Sequence, residues 1–272
     1  MPKKRRRRVI GHPGNPTSLI TAPNTVWCVD YKGQFKMGNG AYCYPLTVTD
    51  GYSRYLLGCQ ALLNTSVADA KPVFTRLFHE FGLPQRIRTD NGVPFATNTL
   101  ARLSQLSAWW VRLGIFPEFI EPGKPQQNGR HERMHRTLKA EATRPPAASQ
   151  RGQQRRFSVF RTEYNELRPH EALDTRTPAS LYESSPRVMP ARLPQFQYPD
   201  RFETRHVSAN GGIRWNSQRV NVSTVCIGEY VGLEKIDDGI WNVYFGPLKL
   251  GRLLERHMRI EDAYGRLKRH HK

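Results

Sequence analysis

RIRTDNGVPF, residues 86–95, runs a short strand-like segment into an acid and an Asn-Gly turn, leaving Asp90 at the strand's C-terminal end. Upstream, VWCVDY (residues 26–31) is a compact apolar strand that also ends near an acid, Asp30. Between the two, AYCYPLTVTD (41–50) and RYLLGCQALL (54–63) read as strands joined through the glycine-containing turns MGNG and DGYS. SVADAKPVFTRLFHEFG (66–82) then repeats Val73, Leu77, Phe78 and Phe81 at helical spacing, and Gly82 supplies the stop. After Asp90, TLARLSQLSAWWVRLG (99–114) reads as an amphipathic helix, IFPEFI (115–120) as a strand and RHERMHRTLKAE (130–141) as a helix. Three strands in an antiparallel meander, then helices alternating with further strands, describe an α/β fold: a mixed five-stranded sheet flanked by helices.

The charge balance points to the partner. With 42 Lys and Arg against 23 Asp and Glu the net charge is +19, and Lys3, Lys4 and Arg5 to Arg8 carry six of these. The remaining 19 − 6 = +13 is spread over the body of the chain. Such an excess favours phosphate backbones through counterion release, so nucleic acid is the expected partner.

No apolar run approaches the roughly 20 residues of a membrane span, and the basic start lacks the apolar stretch of a signal peptide. The four cysteines, Cys28, Cys43, Cys59 and Cys226, are widely spaced with no Cys-x-x-Cys pair, so they read as buried thiols in a reducing compartment. A cytoplasmic, nucleoid-associated protein without a membrane partner is expected.

Composition divides the chain into a basic flexible arm (1–23), an α/β core with a helical extension (24–183), a proline-rich linker (184–203), a small β-barrel (204–262) and a basic tail (263–272).

Three acids then invite chemistry. The first and fourth strands can be sheet neighbours, which would set Asp30 beside Asp90, and Glu132 opens the helix that follows the break EPGKPQQNG (121–129). Helical spacing puts Glu132 on a face with His135, Arg136 and Lys139, with Met134 and Leu138 nearly opposite. Paired carboxylates repel and require a cation, and hard oxygen donors select Mg²⁺ or Mn²⁺. Two such ions can activate a water or a 3′-hydroxyl and stabilise the leaving oxygen of a phosphodiester.

WCVDYKG, RTDNGVPF and PGKPQQNGRHERMHRTLKAE resemble the three acidic motifs of DDE transposases and retroviral-type integrases. YNELRPHEALDTRTPASLY resembles the segment that follows this core in bacterial insertion-sequence transposases. The resemblance implies a ribonuclease H-like core over residues 24–183, with Asp30, Asp90 and Glu132 as catalytic ligands of two Mg²⁺ or Mn²⁺ ions. It implies hydrolysis and strand transfer during DNA transposition, by a homo-oligomer acting on element ends and target, and an SH3-like barrel after the core. Only about 23 residues precede the core, so a separate N-terminal end-recognition domain is expected to be missing.

Lys124, Gln126, Gln127 and Asn128, in the polar loop before the Glu132 helix, and Arg133, Arg136 and Lys139 on it are the expected DNA contacts. Asp50, before Gly51, is read as a turn residue.

Three other readings compete. His131 to His135 spells His-Glu-x-x-His, the zinc pattern of metalloproteases, although the helix around it is cationic. A truncated, non-catalytic DNA-binding remnant that inhibits an intact transposase would follow from the short N-terminus. A ribonuclease acting on RNA–DNA hybrids would need a fourth acid.

Overall fold

The computed structural model describes residues 18–120 and 129–262, which divide into two compact units meeting at residue 196. The expected basic arm up to residue 17 and the tail from residue 263 lie outside the described residues.

The first unit is a mixed α/β layer structure. Its strands are β1 (Val26–Tyr31), β2 (Phe35–Lys36), β3 (Tyr42–Asp50), β4 (Leu56–Leu62), β5 (Arg86–Thr89) and β6 (Phe116–Phe119). β3 pairs antiparallel with both β1 and β4, and β1–β5 and β5–β6 are parallel, giving the order β4-β3-β1-β5-β6. The two-residue β2 pairs with β3 beyond the end of β1, so the five-stranded sheet gains a short sixth piece.

Alternation along the strands explains why helices cover both faces. Leu46, Val48, Leu57 and Ile87 point to one side, where they pack with Phe74, Leu77 and Phe78 of α1 (Val67–Phe81) and Trp110 of α2 (Gln105–Arg112). Cys43, Leu56, Cys59 and Ala61 point to the other, against Met134 and Leu138 of α3 (Gly129–Ala142) and Phe157 and Phe160 of α4 (Gln150–Thr162). Each fully buried Leu or Phe contributes about 1.5–3 kcal/mol by leaving water, so both layers are held mainly by this alternation.

The ends of α1 follow its sequence. Ser66 Oγ accepts from the Asp69 amide at 3.1 Å, and Gly82, at φ 74°, donates its amide to the Phe78 carbonyl. A side chain at Gly82 would place its Cβ 2.4 Å from the Ser185 carbonyl, so glycine serves both backbone and packing there.

One helix expectation changes. The helix expected from Thr99 begins only at Gln105, because Ser104 and Ser107 form a reciprocal cap and Ala101 and Arg102 take positive φ upstream. Downstream, α4 ends at Thr162 and the chain leaves it through a wide π turn, Glu163–Leu167. Within that turn Asn165 is buried and bridges the Leu56 amide and carbonyl, so side-chain amide chemistry substitutes for a strand partner.

The second unit is antiparallel throughout. β7 (Phe202–His206), β10 (Tyr230–Asp237), β11 (Ile240–Phe245), β12 (Leu248–Leu254) and β13 (Arg259–Glu261) form a sheet in the order β13-β12-β11-β10-β7. β8 (Gly212–Trp215) and β9 (Gln218–Asn221) make a separate hairpin. Glu255 Oε1 accepts from both indole nitrogens, Trp215 Nε1 at 2.8 Å and Trp241 Nε1 at 2.9 Å.

Among the described residues no helix is long and apolar enough to cross a membrane. All four cysteines are buried and none is in a disulfide among the described residues.

Candidate active site

Parallel pairing aligns the two strand-end acids. Cys28 stands opposite Arg88 in the β1–β5 register, and two residues further along both strands lie Asp30 and Asp90. Asp30 is partly buried, with its side chain 22% exposed. Asp90 folds back as an Asx turn, its Oδ1 accepting from the Gly92 amide at 3.1 Å. Asn91 secures the same corner by donating to the Ile120 carbonyl at 2.8 Å and accepting from Arg102. Glu132 projects from the first turn of α3, exposed.

These acids feel one another. Burial pushes the Asp30 carboxyl up to about 7, the neighbouring charges of Asp90 and Glu132 push in the same direction, and the Tyr31 amide and Lys32 oppose them. Three carboxylates from three chain segments therefore concentrate negative charge at one sheet end. Hard oxygen donors of this kind suit a divalent cation. Among the described residues no three Asp, Glu, His or Cys side chains converge closely enough to enclose an ion.

The two histidines depart from expectation. His135 does not share the exposed face of Glu132: His131, Met134, His135 and Leu138 form the buried stripe of α3. Both Nε2 atoms meet one hydroxyl, Thr47 Oγ1, at 2.6 Å from His131 and 2.7 Å from His135. Thr47 Oγ1 also lies 3.0 Å from the Asp30 carbonyl, and Thr49 Oγ1 lies 3.1 Å from His131 Nδ1. With the Thr47 proton on that carbonyl, both rings donate from Nε2, and His135 Nδ1 presents a lone pair toward Asp30 Oδ2 at 3.8 Å. Burial holds His131 down to about 3 and His135 down to about 2, the latter aided by His131 and Lys32, so both rings are neutral and the Asp30 contact is not an ion pair. Rings committed to threonines do not present a zinc pair, which removes the observation behind the metalloprotease reading.

Asp50 behaves as the turn residue expected. It accepts from the amides of Asn24, Tyr52 and Ser53 and from Ser53 Oγ, and is buried. One further feature lies beneath the site: Arg88 and Glu118, opposite each other on β5 and β6, form a buried ion pair, and Ser18 donates to the same carboxylate.

Lys124, Gln126, Gln127 and Asn128 lie outside the described residues. Arg136 and Lys139 are exposed, four and seven positions along α3 from Glu132, and so continue its face. Arg133 is also exposed but lines a cavity on another side of the helix.

Two family models, each described as an integrase core domain, match residues 20–125 and 113–178. The chain belongs to the DDE transposase and integrase superfamily. This superfamily member is 26% identical over 180 residues to an uncharacterized protein of insertion element IS407 from Burkholderia multivorans, covering 66% of this chain and 62% of the relative. It is 28% identical to one of insertion element IS476 from Xanthomonas euvesicatoria, covering 66% and 51%. The chain thus spans less than two thirds of either relative. A simian T-cell lymphotropic virus intasome, solved in complex with PP2A regulatory subunit B56 gamma, matches at TM-score 0.52 and 17% identity, over 90% of this chain and 84% of that one. At that identity the likeness is one of fold, and it agrees with a ribonuclease H-like mixed sheet in this member.

Proposed function

We propose that this chain is a transposase that cuts and rejoins DNA phosphodiesters by metal-dependent phosphoryl transfer, with Asp30, Asp90 and Glu132 as the ligands of two divalent ions. The observation that carries the reading is the electrostatic coupling of the three acids: Asp30 is raised by burial and by the charges of both Asp90 and Glu132. A carboxyl raised by burial and by two neighbouring acids, in a sequence of net charge +19, supports a role for Asp30 as a cation ligand. Bound there, Mg²⁺ or Mn²⁺ would supply activation of a water or 3′-hydroxyl and neutralisation of the leaving oxygen.

The chain's own residues do the rest. β1 and β5 hold the two aspartates level, α3 brings Glu132 across, and the buried histidine–threonine contacts limit how Asp30 can turn. Arg136 and Lys139, on the Glu132 face, would grip flanking phosphates, with Lys124, Gln126, Gln127 and Asn128 nearer the scissile bond. An SH3-like role for the second unit in holding DNA, and a homo-oligomer that handles two ends together, complete the proposal.

The test is nicking of DNA that carries the authentic element ends. Purified protein with Mn²⁺ or Mg²⁺ cleaves it, and Asp90→Asn abolishes cleavage while retaining DNA. If wild type and Asp90→Asn are equally inert, the chain is a non-catalytic DNA-binding remnant. The separation of the acids among the described residues is the observation on that side.

A further inference from the structure

We propose that the cavity walled by the Asp50–Arg54 turn, α3 and the Arg168–Ala172 loop is a binding site for a phosphate group, separate from the acidic site. The nucleic-acid source of that phosphate rests on the function proposed above; the site itself does not.

The cavity has a volume of about 220 Å³. Three guanidinium groups from three chain segments line it: Arg54 after β3, Arg133 on α3 and Arg168 after the π turn. All three reach the Tyr164 hydroxyl electrostatically, each opposing the effect of burial, which pushes that group up to about 12. Cations gathered around one hydroxyl repel one another, and nearby carboxylates neutralise them only in part. Arg168 pairs with Glu141 at 2.6 Å, whereas Arg133 has no carboxylate partner among the described residues. Two carboxylates share the lining: Asp50 has its oxygens committed to Asn24, Tyr52 and Ser53, and Glu171, exposed at the rim, sets one negative charge against the three guanidinium groups.

Two further features mark the cavity as more than a gap. Arg54 holds the left-handed backbone conformation, φ 64°, which non-glycine residues adopt at a cost and which recurs at ligand-holding positions. His170 carries a ring nitrogen, Nε2, that is shut off from solvent with no hydrogen-bond partner among the described residues. A phosphate answers these features together: its oxygens accept paired guanidinium hydrogen bonds, and its charge relieves the repulsion.

The site is also distinct in place. Cys28 on its wall precedes Asp30 by two residues, about 6–7 Å along the strand, and Thr49 and Asp50 extend it away from the acids. On α3, Arg133 and Thr137 face it, while Glu132, Arg136 and Lys139 take another face.

The experiment uses the full chain and thermal shift without divalent metal at fixed ionic strength. The probes are inorganic phosphate and a thymidine trinucleotide that has internal diesters and no terminal phosphate. Wild type is stabilised by at least one probe, Arg133→Gln binds that probe about tenfold more weakly, as loss of a charge-assisted hydrogen bond dictates, and Arg151→Gln, at an exposed position of α4, matches wild type. Response to the trinucleotide identifies a DNA backbone phosphate; response to inorganic phosphate alone identifies a free or terminal one. Equal weakening in Arg133→Gln and Arg151→Gln, or no stabilisation by either probe, overturns the site. Unliganded melting of each variant separates lost binding from lost folding, and nicking activity plays no part in the readout.

Discussion

His135 Nδ1 faces Asp30 Oδ2 across 3.8 Å, while Nε2 of the same ring is held 2.7 Å from Thr47 Oγ1. An uncharged, buried ring therefore stands against a carboxyl pushed up to about 7. A protonated histidine would have lowered the Asp30 carboxyl; a neutral one leaves burial and the neighbouring acids in command.

Thr47→Val tests that support. Valine keeps the shape but leaves the His131 and His135 Nε2 atoms without their shared partner, and each buried orphan costs about 1–3 kcal/mol. Urea unfolding should show a loss of roughly 2–4 kcal/mol. A loss below about 0.5 kcal/mol would mean that the hydroxyl is not the anchor of both rings.

The pH dependence of stability carries two opposite signs. His131 and His135 are depressed, so the stability of their neutral forms is present above about 6.5 and is lost as pH falls through that value. Asp30 is raised to about 7, so its contribution runs the other way: it is present at low pH and lost as pH rises through 7. Between pH 6.5 and 5 Asp30 cancels about one histidine. In Asp30→Asn the histidine loss is uncancelled, and stability should fall more steeply with acid than in wild type, by about 1.4 kcal/mol per pH unit. Asp50, also raised by burial, acts alike in both proteins. Denaturant midpoints across this window in metal-free buffer decide it, and parallel profiles would contradict the assignment.

Arg88→Met strands a buried carboxylate. Glu118 and Arg88 side chains are 6% and 7% exposed, and removal of one member of such a pair costs roughly 3–5 kcal/mol. The double variant Arg88→Met/Glu118→Leu should regain most of that stability. A double variant no more stable than Arg88→Met would show that the pair is not the origin of the cost.

Glu255→Leu addresses the second unit. It leaves the Trp215 and Trp241 indole N–H groups unpaired, a loss of roughly 2 kcal/mol, equivalent to about thirtyfold faster opening. Hydrogen exchange should accelerate by that order at Gly212–Trp215 and Ile240–Phe245 and stay unchanged at Val26–Tyr31.

The strand-end acids were legible because the compact apolar run VWCVDY ends near Asp30 and the short segment RIRT runs into an Asn-Gly turn at Asp90. α1 was legible because Val73, Leu77, Phe78 and Phe81 mark one face. The histidines were misplaced although a signal existed: positions 131, 134, 135, 138 and 142 fit a buried stripe as well as any apolar set. Histidine polarity hid it, and only the two threonines on β3, remote in sequence, make burial affordable. The Arg88–Glu118 pair was equally hidden, since each charge alone reads as surface and only the β5–β6 register brings them together. The late start of α2 turned on Ser104 and Ser107, whose mutual cap outweighed the helical pattern upstream.

The parallel β1–β5 pairing has a consequence for how the protein comes into being. Asp30 and Asp90 are 90 − 30 = 60 positions apart and meet only after an intervening strand pair and helix have formed, and Glu132 arrives 42 positions later still. A chain emerging from the ribosome thus lacks its third acid until the sheet beneath it has been synthesised. On the function proposed above, a half-made copy holds no complete acidic site.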